Sequence, residues 1–350
     1  MSERNDFRHV VVAGAAGFIG SAFARNFLTW HPTSRITVVD RLTYAGNLEN
    51  LAPIQDNPRY RFVQADIGDF DAVAAVIADA DAVVNFAAES HVDRSIFDPD
   101  VFVRTNVLGV NTLLRAAKDA WAEALGRGER RRFLQVSTDE VYGHVGEGAS
   151  TEEAPLRPRN PYSASKAGGD LLAFSYFTNY GLPVLVTRGA NTIGPYQYPE
   201  KATPLFITNA LEDKSLPIYG VGQAVRHYLY VDDHAAAIDL VLHQGEPGHA
   251  YNIGPTSAEA NTLELATRIL DLLGKPRSLI RFVPDRPGHD YRYSLDSAKL
   301  RRLGWQQRYD FDHTLEATVA WYMEYPDWWR KIKSGAYREY YERQYGKALA

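Results

Sequence analysis

The sequence predicts an α/β protein with a doubly wound parallel sheet as its larger part and a smaller C-terminal α/β lobe. Short β-branched runs alternate with helical patterns up to about residue 190, which is typical of βαβ units. Beyond Arg188 the pattern loosens, because prolines and glycines divide the chain into short elements. A later strand-like run then indicates that the chain returns to the sheet before it ends.

Each element of the sheet has its own pattern. Strands are predicted at 9–13, 35–40, 60–64, 82–87, 132–137 and 184–188. Helices are predicted at 19–28, 70–77, 101–124 and 162–180. Two further strand patterns, at 226–231 and 249–253, place the return near residues 227–256. We therefore expect residues 1–190, with that return, to form one domain, and residues 191–226 and 257–350 to form the second lobe.

Composition excludes several classes of protein. The 350 residues are 45% hydrophobic and 23% charged, which is typical of a soluble globular protein. A formal charge of −5 provides no general basic surface, so no nucleic-acid partner is expected. The absence of cysteine excludes disulfides, thiolate metal sites and a cysteine nucleophile, and agrees with a cytoplasmic location. Apolar residues 10–24 resemble a secretory signal, but Glu3 and Asp6 spoil its basic flank, and no run is long enough to span a membrane.

Three glycines follow the first predicted strand at a regular spacing. Gly14, Gly17 and Gly20 lie where that strand ends and a helix begins. Glycine allows a tight turn and lets a pyrophosphate approach the helix N-terminus, where free N–H groups favour anions. In this position the spacing indicates a Rossmann domain that binds a dinucleotide.

Acidic residues at the ends of the next two strands favour NAD as that dinucleotide. Asp40 ends the second strand, where a carboxylate accepts hydrogen bonds from the adenosine ribose and repels a 2′-phosphate. The neighbouring Arg41 is compatible with a phosphate, so NADP is the alternative. Asp66 and Ile67 follow the third strand and are placed to hold the adenine, although Asp66 could also be an ordinary strand-end cap.

A tyrosine and a lysine open the helix predicted at 162–180. Tyr162 and Lys166 are four residues apart and therefore neighbours on one helical face. A nearby ammonium favours the phenolate, which can take a proton from a sugar hydroxyl while hydride leaves to a nicotinamide. Such a pair alone is often structural. Ser137 and Thr138 at the end of a strand, together with the dinucleotide fold, favour the catalytic interpretation.

Longer stretches resemble the dTDP-glucose 4,6-dehydratases of the extended short-chain dehydrogenase/reductase superfamily. The matching residues run through nearly the whole chain: 42–47 (LTYAGN), 87–95 (AAESHVDRS), 137–143 (STDEVYG), 194–197 (GPYQ), 199–201 (PEK) and 285–290 (DRPGHD). The Thr138-Asp139-Glu140 run separates these dehydratases from the related epimerases, which lack the acidic pair.

The resemblance implies a hydro-lyase with an internal redox cycle: oxidation at C4, loss of water from C5 and C6, and return of the hydride to C6. It makes Glu140 the base for the C5 proton, Asp139 the acid for the C6 hydroxyl, and Thr138 a group that polarises the C4 oxygen. Two adjacent carboxyls can divide such work if their surroundings separate their pKa values. The alternative is that Asp139 and Glu140 only cap a loop.

The resemblance also implies which residues bind ligands. The expected cofactor-binding residues are Gly14, Gly17, Phe18, Ile19, Gly20, Asp40, Arg41, Leu42, Thr43, Asp66, Ile67, Ala87, Ala88, Ser90, Thr105, Tyr162, Lys166 and Thr192. The expected nucleotide-sugar residues are His91, Thr138, Asn191, Lys201, Pro217, Ile218, Tyr219, Arg226, Asn261, Asp285, Arg286 and His289. No metal is expected, since no ligand spacing supports one around His91 or His289. The resemblance further implies a homodimer formed by helices 101–124 and 162–180.

Some positions depart from the family pattern. Thr192 replaces an asparagine that touches the cofactor, Val221 replaces a common Asp, and His227-Tyr228 replaces Asp-Trp. These changes concern substrate preference more than reaction type. A nucleotide-sugar 4-epimerase and a non-catalytic NAD-binding scaffold remain as alternatives. The aromatic tail, in which Tyr337, Tyr340 and Tyr341 share a helical face, predicts a terminal helix docked on the body rather than a partner-binding helix.

Overall fold

A seven-stranded parallel sheet organises the larger part of the chain. We describe it from a computed structural model that covers residues 6–256, 259–285, 289–334 and 336–349. The strands of the sheet are β1 (His9–Ala13), β2 (Arg35–Asp40), β3 (Tyr60–Gln64), β4 (Ala82–Asn85), β5 (Arg132–Thr138), β6 (Val184–Gly189) and β11 (His249–Ile253). Their order is β11-β6-β5-β4-β1-β2-β3. The predicted doubly wound fold is confirmed.

The strand order reverses between β1 and β4. From β1 the chain moves outward to β2 and β3, then returns to the other side of β1 and continues outward through β5 and β6. In open α/β sheets a ligand crevice lies at such a switch point, outside the carboxyl ends of the strands. The topology therefore places a site at the C-terminal ends of β1 and β4.

Helices cover both faces of the sheet and complete the second lobe. Their bounds are α1 (Phe18–Trp30), α2 (Phe70–Ile77), α3 (Val92–Phe97), α4 (Pro99–Val103), α5 (Val110–Gly126), α6 (Pro161–Tyr180), α7 (Ala202–Leu211), α8 (Val231–Gln244), α9 (Thr262–Leu273), α10 (Ala298–Arg302), α11 (Phe311–Glu324), α12 (Pro326–Lys333) and α13 (Ala336–Leu349). Alternate residues of β1 divide between the two faces: Val10 and Val12 pack with α1 and α8, whereas Val11 packs with α2, α5 and α6. No helix within the described residues is both long and apolar enough to cross a bilayer.

Two predicted elements were wrong in part. The helix expected over 101–124 is interrupted by a π-helical turn, Arg104–Gly109, between α4 and α5. Within that turn Asn106 is buried, and its side-chain amide forms hydrogen bonds with the backbone of Glu89 and the hydroxyl of Ser165. The π-helical turn, which holds one more residue than an α-helical turn, is thus accompanied by tertiary hydrogen bonds. The strand expected over 226–231 is two short strands, β9 (Val225–Arg226) and β10 (Tyr228–Tyr230), and neither joins the large sheet.

The second lobe is built from helices and two-stranded ladders. Strand β7 (Asn191–Ile193) pairs with β10, β8 (Leu216–Tyr219) pairs with β13 (Ile280–Val283), and β9 pairs with β12 (Ala260–Asn261). Residues of α7, α9, α11, α12 and α13 form its core. The tail docks on the body, since Tyr337 and Tyr340 are buried and the Trp328 indole donates to Asn50 in the first domain. The division into domains at the predicted residues stays a prediction.

Candidate active site

One cleft at the switch point collects most of the predicted site residues. It is lined from the C-terminal ends of β1 to β6 and from the start of the second lobe. Of the expected cofactor residues, all but Leu42 line it. The catalytic candidates Thr138, Asp139, Glu140, Tyr162 and Lys166 line it too, together with Asn191 and Lys201. Leu42 instead packs against the core beneath α1.

The glycine loop fits a diphosphate. Gly14 has φ +77°, and a Cβ there would overlap the backbone of Ala87. A Cβ at Gly20 would lie 2.7 Å from the Gly14 carbonyl oxygen, so helix and loop approach as closely as glycine allows. Gly17, the N-cap of α1, provides no side-chain cap, and the first turn holds no acidic residue. The first amides of α1 are therefore left for an anionic ligand.

The acidic residues beside the loop hold its shape. Asp40 accepts hydrogen bonds from the backbone N–H groups of Ala16 (2.9 Å) and Leu42 (2.8 Å), and burial raises the pKa of Asp40. Arg41 forms an ion pair of 3.0 Å with Asp66. Asp40, Arg41 and Asp66 all line the cleft, at the end where the sequence predicts the adenosine to bind.

Local sequence fixes the two segments that carry the predicted catalytic residues. Strand β5 ends at Thr138, and Asp139–Tyr142 forms a single 3₁₀ turn that Thr138 caps by accepting from the N–H of Glu140 (3.3 Å). Helix α6 starts with a capping box between Asn160 and Ser163, with a proline as its first residue. The box places Tyr162 in the first turn of α6, where it lines the cleft together with Thr138.

The two adjacent carboxyls have different surroundings. Asp139 is 5% exposed, whereas Glu140 is half-buried. Burial and then the charge of Glu140 raise the pKa of Asp139 to about 7, although the Thr138 hydroxyl donates to it at 3.2 Å. Asp139 therefore keeps a proton near neutrality. This is the separation of roles that elimination of water requires.

Burial also governs the tyrosine and lysine. It raises the pKa of Tyr162 above the usual range of a phenol, and the charge of Glu140 adds to the effect. It lowers the pKa of Lys166 to about 8, while the ammonium donates to the carbonyl oxygen of Val136 at 2.6 Å. From the sequence, the Lys166 ammonium was expected to lower the pKa of Tyr162. In the structure the pKa of Tyr162 is raised instead, because the loss of hydration on burial outweighs the attraction of the ammonium.

Known proteins match this chain over most of its length. A family model described as GDP-mannose 4,6 dehydratase matches residues 11–318. A dTDP-glucose 4,6-dehydratase of Streptomyces niveus is 49% identical over 330 residues, which are 93% of this chain and 96% of that protein. The dTDP-glucose 4,6-dehydratase 1 of Escherichia coli (strain K12) is 45% identical, over 96% and 98% of the two chains.

A solved structure agrees with these relatives. A dTDP-glucose 4,6-dehydratase from Streptomyces venezuelae with NAD and TYD bound has a TM-score of 0.89 and 48% identity, and the match covers 93% of this chain and all of that one. The chain belongs to the 4,6-dehydratase family. The resemblance inferred from the residue motifs is confirmed. A UDP-glucuronic acid 4-epimerase from Bacillus cereus, 26% identical, reaches a TM-score of 0.82, so this family shares its fold with epimerases.

The predicted substrate residues divide into two groups. Thr138, Asn191 and Lys201 line the cleft, and the Lys201 ammonium donates to the carbonyl oxygen of Ser90 at 2.5 Å. The others lie outside its lining: His91, Pro217, Ile218, Tyr219, Arg226, Asn261, Asp285 and His289. Arg286 falls outside the described residues.

Several of the outlying residues have structural partners. Ile218 is fully buried in the core of the second lobe, and the Asn261 side chain caps α9 by accepting from the N–H of Glu264 (2.8 Å). His289 pairs with Asp285 at 2.7 Å, and Arg226 donates to the carbonyl oxygen of Asp290 at 2.8 Å. Their ligand roles stay predictions.

Two residues that were not predicted from the sequence lie at or next to the cleft. The Tyr293 hydroxyl donates to Asp290 (2.8 Å) and lies 3.5 Å from the Glu140 carboxylate, and its ring lies beneath the guanidinium of Arg226. Its position just after the 285–290 motif was the available signal. Glu200, in the motif 199–201, lines the cleft and pairs with Arg94 at 2.8 Å.

Thr192, the departure from the family pattern, has an internal partner. Its hydroxyl lies 2.7 Å from Nδ1 of His234, a fully buried ring whose pKa burial lowers to about 4. His234 is therefore neutral. The hydroxyl of Thr192 is therefore held against α8.

Proposed function

We propose that this chain is a hydro-lyase that converts dTDP-glucose to dTDP-4-keto-6-deoxyglucose and uses NAD as its cofactor. One observation carries the proposal: a buried carboxyl that holds its proton near neutrality, Asp139, lies beside a more exposed carboxylate, Glu140, in the same cleft as Tyr162 and the glycine loop. A 4-epimerase needs no such pair. The named relatives and solved structures support the same substrate.

The first task of the residues is to take a proton from the C4 hydroxyl. Tyr162 is the base, and Thr138, which lines the same cleft, supports the C4 oxygen. Lys166, one helical turn along α6, is held against the end of β5 by its bond to Val136 and keeps a positive charge beside the reacting oxygens. NAD held by the Gly14–Gly20 loop and Asp40 would supply the hydride chemistry of the cycle.

The second task is elimination. The C4 ketone acidifies the C5 proton, which the Glu140 carboxylate removes. Asp139 donates its proton to the C6 hydroxyl, so that the C6–O bond breaks and water leaves. Glu140 then returns its proton to C5 as hydride would return to C6, and the proton that Tyr162 took from the C4 hydroxyl replaces the one that Asp139 lost. The sugar has lost one water with no net oxidation. The arrangement places the proposed acid and the proposed base in two neighbouring side chains.

We assign the cofactor side from residues that line the cleft, and the nucleotide side partly from predicted residues outside that lining. We assign the diphosphate of NAD to the Gly14–Gly20 loop and the ribose to Asp40. For the sugar nucleotide we assign Asn191 and Lys201 to the cleft, and Arg226 with the 285–289 segment to the diphosphate. Residues 217–219 would lie near the base. Because a net negative protein must bind two diphosphates, the local cations carry that task.

We also propose a cytoplasmic homodimer. Helices α4 to α6 expose large apolar side chains that a partner copy would cover: Val101, Val103, Leu108, Leu171, Phe177 and Tyr180. Leu108 is 57% exposed and Leu171 60%, which is unusual for leucines on packed helices. Sedimentation should give a dimer mass, and Leu171→Glu should give a monomer.

The test of the reaction is isotopic. Given dTDP-glucose deuterated at C4, the enzyme should yield a 4-keto-6-deoxy product with that deuterium at C6, and product NMR would locate it. A clean dTDP-galactose product would favour the epimerase alternative. Bound NAD with no turnover, and no effect of Tyr162→Phe, would favour a scaffold. A panel with UDP-glucose and GDP-mannose separates base preference from reaction type.

A further inference from the structure

Four polar side chains gather at the end of α1 far from the cleft. His31 follows the last residue of α1, Asp239 and His243 lie one turn apart on α8, and Asp6 lies in the segment before β1. Helix α1 has 13 residues and is therefore about 20 Å long, which separates this group from the glycine loop by about that distance.

Three of these side chains bring buried polar atoms without hydrogen-bond partners close to one another. Asp6 Oδ1, His31 Nδ1 and His243 Nε2 are buried, lie within 4.8 Å of one another, and have no hydrogen-bond partner. The His31 side chain is only 1% exposed. Buried polar atoms almost always have a hydrogen-bond partner or a ligand. Three such atoms without a hydrogen-bond partner, lying close together, therefore indicate one ligand that all three share.

Asp239 orients both imidazoles toward the place where these three atoms lie. It lies 2.9 Å from His31 Nε2, and His243 Nδ1 lies 2.9 Å from its backbone oxygen and 3.2 Å from its carboxylate. These contacts of Asp239 with the outer nitrogens place the proton of each ring on that side. The inner nitrogens then present lone pairs, as in carboxylate–histidine–metal sites.

The distances between Asp6 Oδ1, His31 Nδ1 and His243 Nε2 fit metal coordination better than hydrogen bonding. Asp6 Oδ1 and His31 Nδ1 are 3.1 Å apart without the geometry of a hydrogen bond. Bonds of about 2.0–2.1 Å in a tetrahedron hold neighbouring ligand atoms about 3.3 Å apart. The widest gap in the group therefore needs to close by at most about 1.5 Å, which side-chain rotation supplies.

We propose that Asp6, His31 and His243 bind one divalent transition-metal ion of the Zn²⁺ class, with the fourth position open to water. Two imidazoles and one carboxylate favour such an ion over Mg²⁺ or Ca²⁺, which prefer oxygen. Asp6 and Asp239 bring two carboxylates to this group, and Arg130 donates to the carbonyl oxygen of His243. The ion would tie the segment before β1 to α1 and α8, and its role is structural and independent of the proposed reaction.

The competing occupant is a proton on His31. His31 lies between two carboxylates, 2.9 Å from Asp239 and 3.1 Å from Asp6. An imidazolium between two carboxylates would satisfy Nδ1 of His31 but leave Nε2 of His243 without a partner. Metal binding accounts for both nitrogens, and the two occupants differ in an observable way, because only one of them responds to Zn²⁺.

The test uses the full chain without an affinity tag, dialysed against a chelator and titrated with ZnCl₂. We expect one tightly bound ion per chain and a Tm that rises with Zn²⁺ concentration. At 100 times Kd the ratio of folded to unfolded protein should increase about 100-fold. Bound Co²⁺ should show the visible absorption of a tetrahedral site.

Variants identify the site. Asp6→Asn and His243→Gln remove ligands that are not in the deepest core and should abolish both the stoichiometric binding and the Tm rise. His313→Gln is the matched control, because His313 also pairs with a carboxylate but is 71% exposed. Equal binding by all three variants, or a stability that follows pH and ignores Zn²⁺, would overturn the proposal.

Discussion

Replacement of Asp139 by asparagine should make the protein more stable and less active. The side chain keeps its shape and can still accept from Thr138, but it can neither ionise nor donate a carboxyl proton. With a pKa of about 7 in the fold and 3.8 as the reference, ionisation of Asp139 costs the folded state about 4 kcal/mol at pH 7. Asparagine removes that cost.

The sign of the pH dependence follows from the raised pKa. Its contribution to stability is fully present below pH 3.8 and is lost as the pH rises through 7. The difference in free energy of unfolding between Asp139→Asn and the parent should therefore widen by about 2–3 kcal/mol from pH 5 to pH 8. Urea unfolding at the two pH values measures it.

Activity should change in the opposite direction. Loss of a general acid costs about 10²- to 10⁴-fold in rate, so kcat for the 4-keto-6-deoxy product should fall by that factor. Asp290→Asn is the control for stability, because Asp290 is buried in ion-paired form with Arg159 at 2.9 Å and its replacement should destabilise. A pH-independent difference for Asp139→Asn, or an unchanged kcat, would refute the reasoning.

Three further predictions concern other parts of the site. Tyr162→Phe should lower kcat at least 100-fold while NAD binding persists, as measured by turnover and by cofactor retained on gel filtration; retained turnover would remove the phenol from the mechanism. Gly14→Ala should abolish NAD binding in a fluorescence titration, whereas Gly128→Ala, with the same φ of +77° but open space around it, should bind NAD normally. Asp170→Asn breaks the fully buried ion pair with Arg188 and should lower the free energy of unfolding in urea by about 3–5 kcal/mol. Glu342→Gln, which breaks the exposed ion pair with Arg338, should lower it by less than about 0.5 kcal/mol.

The elements that the sequence predicts well are those with a local cause. Strand β1 is a run of β-branched residues ended by a glycine that needs a positive φ, and α6 opens with an asparagine cap and a proline. Each signal acts within a few residues. The cleft could therefore be placed from Gly14, Asp40 and Tyr162 before any distance was known.

The parts that escaped prediction depend on residues distant in sequence. The strand pattern at 226–231 is real, but its partners β7 and β12 are decided by the second lobe and not by the pattern. Asn261 looks like a ligand by motif, yet its oxygen is used as a helix cap. The pKa of Tyr162 rises because of burial, a quantity set by the whole fold. The group around His31 joins residues more than 200 positions apart, and no spacing rule could find it.

The fold itself does not decide the reaction. An epimerase with 26% identity superposes with a TM-score of 0.82, so the sheet, the glycine loop and the cleft are compatible with either outcome after C4 is oxidised. The outcome depends on whether a proton can be removed at C5 and delivered at C6 while the ketone exists. Asp139 meets the second condition only because it is buried next to a like charge, an arrangement that destabilises the fold. The predicted gain in stability on Asp139→Asn thus measures the same property that commits this cleft to losing water.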